Sequence, residues 1–197
     1  NMAVVVGLTG GIAMGKSTIS DFLKVKEIPV VDADQVAHEI LKDSEVVVEL
    51  TDVFGEAILD KNRQVDRKKL GSIVFNDPQQ LEKLNDIVQP HIRSEIIKRL
   101  NSFATSKLVV LDAPVLFEQG YEKMVDYLMV VRTSFKIQIA RLMQRDSLSQ
   151  ADAQKRIQSQ MSIEEKVKKA DIVIDTSGTI EETRSQVVKW LVNKNLF

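Results

Sequence analysis

Gly10-Gly11-Ile12-Ala13-Met14-Gly15-Lys16-Ser17-Thr18 is the stretch whose residue types and spacing suit chemistry best. It fits G-x-x-x-x-G-K-[ST], the P-loop pattern that cradles nucleotide phosphates. Glycines let successive backbone N–H groups curl toward phosphate oxygens. A helix starting at the same place points the positive end of its dipole at the same anion. In that setting Lys16 reaches the β and γ phosphates as a mobile point charge, and the Ser17 hydroxyl is a ligand for Mg²⁺. The plainer alternative is a glycine turn capped by serine that binds nothing. The flanks favour the phosphate loop. Ala3-Val4-Val5-Val6-Gly7-Leu8 is an unbroken apolar run, as in a strand covered on both faces, and Ile19, Phe22 and Leu23 follow at helical spacing.

The elements that must position this loop are legible along the chain. Besides the first run, four short apolar runs read as strands: Pro29 to Val31 ending at Asp32, Lys107 to Leu111 ending at Asp112, Tyr127 to Val131 followed by Arg132, and Asp171 to Ile174 ending at Asp175. Helical patterns separate them, which predicts an α/β fold with an open parallel sheet of about five strands and helices on both faces. Ligands of such sheets sit outside the carboxyl ends of the strands, where Asp32, Asp112 and Asp175 fall.

The gap between the second and third strands is too long for a simple crossover. Asp34 to Leu41 has a helical stripe, with Asp34 a candidate N-cap. Asp77 reads as the N-cap of another helix with Pro78 at its first position, and Pro90 is expected to interrupt that helix. The segment from about residue 35 to 104 is therefore expected to be a helical, substrate-binding insertion in a single domain. Between the fourth and fifth strands, Lys136, Arg141, Arg145, Lys155 and Arg156 mark a charged helical stretch. It is a solvated face or, over about 136–160, a lid that brings arginine to a moving phosphoryl group. His38 and His91 read as local hydrogen-bonding residues, and Trp190 as core.

Composition narrows the classes. A chain of 197 residues with 44% hydrophobic and 28% charged residues suits one globular domain. Lys plus Arg number 27 and Asp plus Glu 28, so a net charge of −1 points to neither a nucleic acid nor a membrane surface as partner. Cysteine is absent, which rules out disulfides and fits a reducing cytoplasm. The first apolar run carries the phosphate loop and does not read as a signal peptide. Asn1 ahead of Met2 reads as a cloning remnant.

A regulatory GTPase needs an Asn-Lys-x-Asp guanine reader, and Asn193-Lys194 is followed by Leu196 where the acid belongs. A small-molecule kinase suits the length better. Nearly end to end, the sequence resembles the dephospho-coenzyme A kinase family. Gly7-Leu8-Thr9-Gly10-Gly11-Ile12 with Gly15-Lys16-Ser17-Thr18 is similar to that family's P-loop, and Asp32-Ala33-Asp34 to its Asp-Ala-Asp signature. Asp112-Ala113-Pro114-Val115-Leu116-Phe117-Glu118 resembles its D-x-P-L-L-F-E segment. Arg141-Leu142, Arg145-Asp146, Arg156-Ile157 and Gln160 resemble its lid, and Ala170 to Asp175 its last strand.

The resemblance implies a cytoplasmic kinase that uses ATP and Mg²⁺ to phosphorylate the ribose 3′-hydroxyl of dephospho-coenzyme A, the last step of coenzyme A synthesis. It implies that Gly11, Ile12, Ala13, Met14, Gly15, Lys16, Ser17 and Thr18 bind ATP together with Arg141 and Arg145. Asp34, Lys16 and Arg145 would be catalytic, and Asp34, His38, His91, Arg93 and Leu116 would contact the acceptor. Ser17 and Asp112 would hold the metal. The chain departs from the family at Ala13-Met14 where Gly-Ser is common, at His38 where arginine is common, at Gln89 in place of histidine, and at Thr176 in place of asparagine. A neutral backbone cradle predicts that Ala13 keeps dihedrals alanine tolerates. The alternatives are a nucleoside or nucleotide kinase of the same architecture, and an ATP-binding regulatory protein without transfer chemistry.

Overall fold

A computed structural model describes residues 2–197; Asn1 lies outside the described residues. Five strands, β1 (Val4–Gly10), β2 (Val30–Asp32), β3 (Leu108–Asp112), β4 (Tyr127–Arg132) and β5 (Ile172–Asp175), pair in parallel in the order β2-β3-β1-β4-β5. The first strand runs two residues past the apolar stretch, so Thr9 and Gly10 are still paired, Gly10 opposite Val131. A Cβ on Gly10 would lie 2.7 Å from the Val131 carbonyl oxygen, so only glycine lets β1 lead into the loop at this point.

The strands' alternation builds the core. Val6, Leu8, Leu108, Val110, Met129, Val131 and Ile174 share one face. They pack there against Ile19 and Leu23 of helix α1 (Lys16–Val25) and Val187, Trp190 and Leu191 of the C-terminal helix, with Trp190 edge-on to Tyr127 at 5.4 Å. Trp190 is thus core, as expected.

The remaining helices are α2 (Ala33–Ile40), α3 (Ser44–Phe54), α4 (Arg67–Val74), α5 (Pro78–Ser102), α6 (Phe135–Asp146), α7 (Gln150–Gln158), α8 (Ile163–Lys168) and α9 (Ile180–Asn193). Most carry a polar cap: Asp43, Asp66, Ser134, Ser149, Ser162 and Thr179 each accept a first-turn N–H, and Asp77 accepts from Gln79 and Gln80.

The chain divides into two compact units, one of residues up to 32 and from 99 onward, the other of residues 33–98. The first is the sheet with α1 and α6–α9. The second has its own interior, to which Val46, Leu50, Ile58, Leu70 and Ile92 contribute fully or nearly fully buried side chains. The expected break at Pro90 does not occur: α5 is continuous over 25 residues with Pro90 inside. Proline costs one backbone hydrogen bond and a local clash, about 3 kcal/mol. Val88, Ile92 and Ile96, buried on either side, offset that cost by burial worth about 1.5–3 kcal/mol each. Among the described residues no helix is long and apolar enough to cross a membrane.

Candidate active site

The phosphate loop joins β1 to α1 directly. Gly15, immediately before α1, is left-handed at φ 91°, and unlike the helices named above α1 starts with no side-chain cap on its first-turn amides. An uncapped helix start after a glycine loop is a site for an anion. Ala13 departs from expectation: it sits at φ 57°, in the left-handed region that favours glycine. For alanine this stores roughly 1–2 kcal/mol. The loop's surroundings hold it there, since Ile12 and Ala13 pack on the small apolar cluster of Ile139, Leu142 and Ala153 between α6 and α7.

Side chains brace the loop. Gln138 of α6 donates Nε2–H to the Ile12 carbonyl at 2.9 Å, and Gln160 accepts from the Ile12 amide at 3.1 Å. Thr176, just past β5, donates its hydroxyl to the Met14 carbonyl at 2.6 Å. Arg141 in turn donates to the Thr176 hydroxyl at 3.3 Å and to its carbonyl at 2.9 Å. The threonine where asparagine is common is therefore the link between Arg141 and the loop.

The strand-ending acids part company. Asp32 and Asp112 are register partners at adjacent strand ends, and Lys16 donates its ammonium to the largely buried Asp112 carboxylate. Asp175 instead closes its own turn, accepting from the Ser177 amide at 2.8 Å and hydroxyl at 2.6 Å, which hold its carboxyl below the ordinary aspartate range.

Leu116 is a core side chain. Its side chain is completely buried, packed so close over Gly7 that a Cβ there would lie 2.7 Å from Leu116 Cδ1. It fills space on the sheet's other face. Lys166 of α8 is a residue that sequence reasoning missed. It is fully buried, and its ammonium donates to the carbonyls of Gly10 (3.2 Å) and Pro114 (3.0 Å) and lies 3.4 Å from the Glu118 carboxylate. Burial pushes its pKa below the ordinary lysine value, with Glu118 opposing.

Arg145 is mainly exposed. Its guanidinium forks onto Asp146 at 3.0 and 3.2 Å, and Arg156 of α7 reaches the same carboxylate at 2.8 Å. The Arg145 hydrogen bond, supported by the charges of both arginines, holds Asp146 below the ordinary value of 3.8, against some desolvation. A depressed carboxylate pKa favours the folded pair at pH above the unfolded value, and the contribution is lost as pH falls through the lower folded value. We expect the ¹³C signal of the Asp146 carboxyl to titrate below 3.8 in the native protein. A midpoint at or above that value would mean that the α6–α7 clasp does not hold in solution.

The other candidates lie in the second unit. Asp34 is exposed and is the second residue of α2, one position inside the helix and not at its cap. His38 Nε2 accepts from the Arg67 guanidinium at 2.8 Å, so a guanidinium stands beside the position where the family's arginine was expected. Arg67, 29 residues away in sequence, carried no local signal. His91 pairs with Glu49 at 3.0 Å, and Arg93 is half-buried one residue from the buried Ile92.

The comparisons with known proteins agree with this geometry. Residues 4–182 match the family model described as dephospho-CoA kinase. A dephospho-CoA kinase of Fusobacterium nucleatum is 42% identical over 187 residues, covering 95% of this chain and 96% of its own. One from Bacillus cereus is 43% identical over 198 residues, covering 99% of each chain. The structure of dephospho-CoA kinase from Campylobacter jejuni superposes with a TM-score of 0.70 at 31% identity over 98% of each chain. A match that runs from β1 into α9 takes in the braced phosphate loop, Asp112 and the paired arginines alike, and the chain belongs to the dephospho-CoA kinase family.

Proposed function

We propose that this kinase transfers the γ-phosphoryl group of ATP to the ribose 3′-hydroxyl of dephospho-coenzyme A, giving coenzyme A and ADP. The observation that carries the reading is the phosphate loop itself: a left-handed Gly15, an uncapped α1 and the Lys16 ammonium brought to the strand-end Asp112. Phosphoryl transfer asks little covalent chemistry of a protein, mostly positioning and charge. Lys16 neutralises the β and γ phosphates, and the first-turn amides of α1 receive their oxygens. Arg141, held against the loop by Thr176, is the lid arginine that contacts the nucleotide in this reading. Arg145 exchanges Asp146 for a phosphate oxygen.

Among the described residues no group of three or more His, Cys, Asp or Glu side chains is placed to hold a metal. The hard oxygen donors of Ser17 and Asp112 fit Mg²⁺, which is commonly held by one or two protein oxygens plus substrate phosphates and water. Bound there, Mg²⁺ supplies charge to the phosphates. Asp34 accepts the proton of the attacking hydroxyl and orients it. The covalent chain supports this assignment, since two residues separate Asp34 by at most about 7 Å from Asp32 at the strand end. Arg67, held by His38, and Arg93 supply positive charge for the anionic acceptor.

A panel assay tests the reading. We expect ATP consumption with dephospho-coenzyme A and none above background with nucleosides, nucleotides or shikimate. Turnover confined to a nucleotide acceptor, or ATP binding with no turnover on any acceptor, would refute it.

A further inference from the structure

The ladder between β1 and β3 ends at Leu8 and Asp112, with the Ala113 amide donating to the Leu8 carbonyl at 3.0 Å. Beyond it the two chains lead to the two halves of the site. One goes through Gly10 into the phosphate loop, the other from Asp112 through Pro114 toward Glu118. No strand pairing holds them together there. Instead the Lys166 ammonium spans them, donating to the Gly10 and Pro114 carbonyls, while the Thr9 hydroxyl also donates to Pro114 at 3.1 Å. The Glu118 carboxylate takes the third position around the nitrogen. An ammonium has three donors, and here it has three acceptors.

We propose that Lys166 is a positioning residue for phosphoryl transfer: its ammonium clamps the Gly10 and Pro114 carbonyls at a fixed separation, so that the phosphate loop and Asp112 are held in register. The proposal rests on the kinase reading above. Fully buried lysine is rare because desolvating the charge is costly, and a buried filler for this space needs no charge at all. A cation is what bridges two carbonyls and a carboxylate at once. Its attachment is equally directed. Lys166 stands on α8, six residues after Gln160, whose side chain holds the Ile12 amide. The segment from α7 to α8 therefore grips the phosphate loop at Gly10 and at Ile12. The positive charge of Lys16 also reaches Lys166, placing the clamp beside the phosphate-binding lysine.

The test uses Lys166→Met, Lys166→Met/Glu118→Gln and Lys166→Arg in the full chain. The double variant removes the carboxylate left without its partner, which keeps the test meaningful if Lys166→Met alone fails to fold. Folded fraction is read by cooperative melting, ADP affinity by calorimetry without acceptor, and kcat and KM with ATP and dephospho-coenzyme A. Misplacing reacting groups by an ångström costs up to about a hundredfold, so kcat per folded molecule is expected to fall roughly thirtyfold in the methionine variants. ADP affinity should weaken several-fold and the KM for the acceptor should hold within about threefold. Lys166→Arg, which keeps the charge and donors, should regain most of kcat even if its melting temperature stays low. Three results overturn the proposal. One is kcat and ADP affinity within about threefold of the parent in a folded methionine variant. Another is loss of folding in both methionine variants. The third is Lys166→Arg no better than methionine. If the parent itself fails to turn over dephospho-coenzyme A, the kinase reading falls, and the ADP titration still decides the role of Lys166.

Discussion

Lys16→Ala is expected to give a folded protein whose kcat has dropped by on the order of a hundredfold to a thousandfold. The size follows from what the side chain touches. Its ammonium lies on the Asp112 carboxylate, partly shielded from water at the mouth of the sheet. In the proposed mechanism this charge moves to the β and γ phosphates of ATP, where negative charge builds during transfer. A preorganised cation in such a site costs no reorganisation as the reaction proceeds, and removal of one such donor typically costs a hundredfold or more. The fold should survive, because the core under the loop is built from Val6, Leu8, Ile19 and their partners and does not include Lys16. The cost in stability comes from Asp112, 7% exposed and deprived of a cation, and should show as a lowered melting temperature. Circular dichroism melting and initial rates at saturating ATP check both halves. Near-parental turnover in a folded Lys16→Ala would remove the phosphate loop from the mechanism.

What could be read from sequence divides along physical lines. The strands were legible because burial on both faces forces unbroken apolar runs, and β3, buried at every position, is the plainest case. The phosphate loop was legible because glycine is demanded where backbone bends sharply or another chain approaches, as at Gly15 and Gly10. Polar side chains that bond across the fold left no such trace. Lys166 lies in Glu164-Glu165-Lys166-Val167-Lys168-Lys169, and in one dimension it looks like any other charge on a solvated helix. Only the approach of Gly10, Pro114 and Glu118, all distant in sequence, singles it out. Arg67 beside His38 and Thr176 beneath Arg141 were hidden for the same reason. Leu116 shows the converse: a motif position gives no sign in sequence that its side chain packs over Gly7. Pro90 shows a local rule overruled, since burial on both sides of the proline carries α5 through it.

Asp34→Asn separates chemistry from architecture more sharply than any other substitution. As the second residue of α2, Asp34 sits in the helix's first turn, where a carboxylate favours the positive end of the dipole by about 0.3–1 kcal/mol. Asparagine keeps the shape and hydrogen-bonding capacity and loses the charge, so the melting temperature should fall by only a few degrees. The residue is exposed, so the change leaves the core untouched. Catalysis responds on a different scale. A ribose hydroxyl is a weak nucleophile, and a placed carboxylate that accepts its proton contributes roughly 10²–10⁴-fold. Asparagine can orient the hydroxyl through its amide but cannot take the proton. The kcat of Asp34→Asn is therefore expected to fall by at least about a hundredfold, while the affinity for ATP, which Asp34 does not touch in this mechanism, stays within about twofold. Calorimetric titration with ATP, a melting curve and steady-state rates on the same preparation read the three quantities separately. If stability drops while kcat per folded molecule stays within a few-fold of the parent, the carboxylate serves the helix end, and the base that activates the ribose hydroxyl lies elsewhere in the chain.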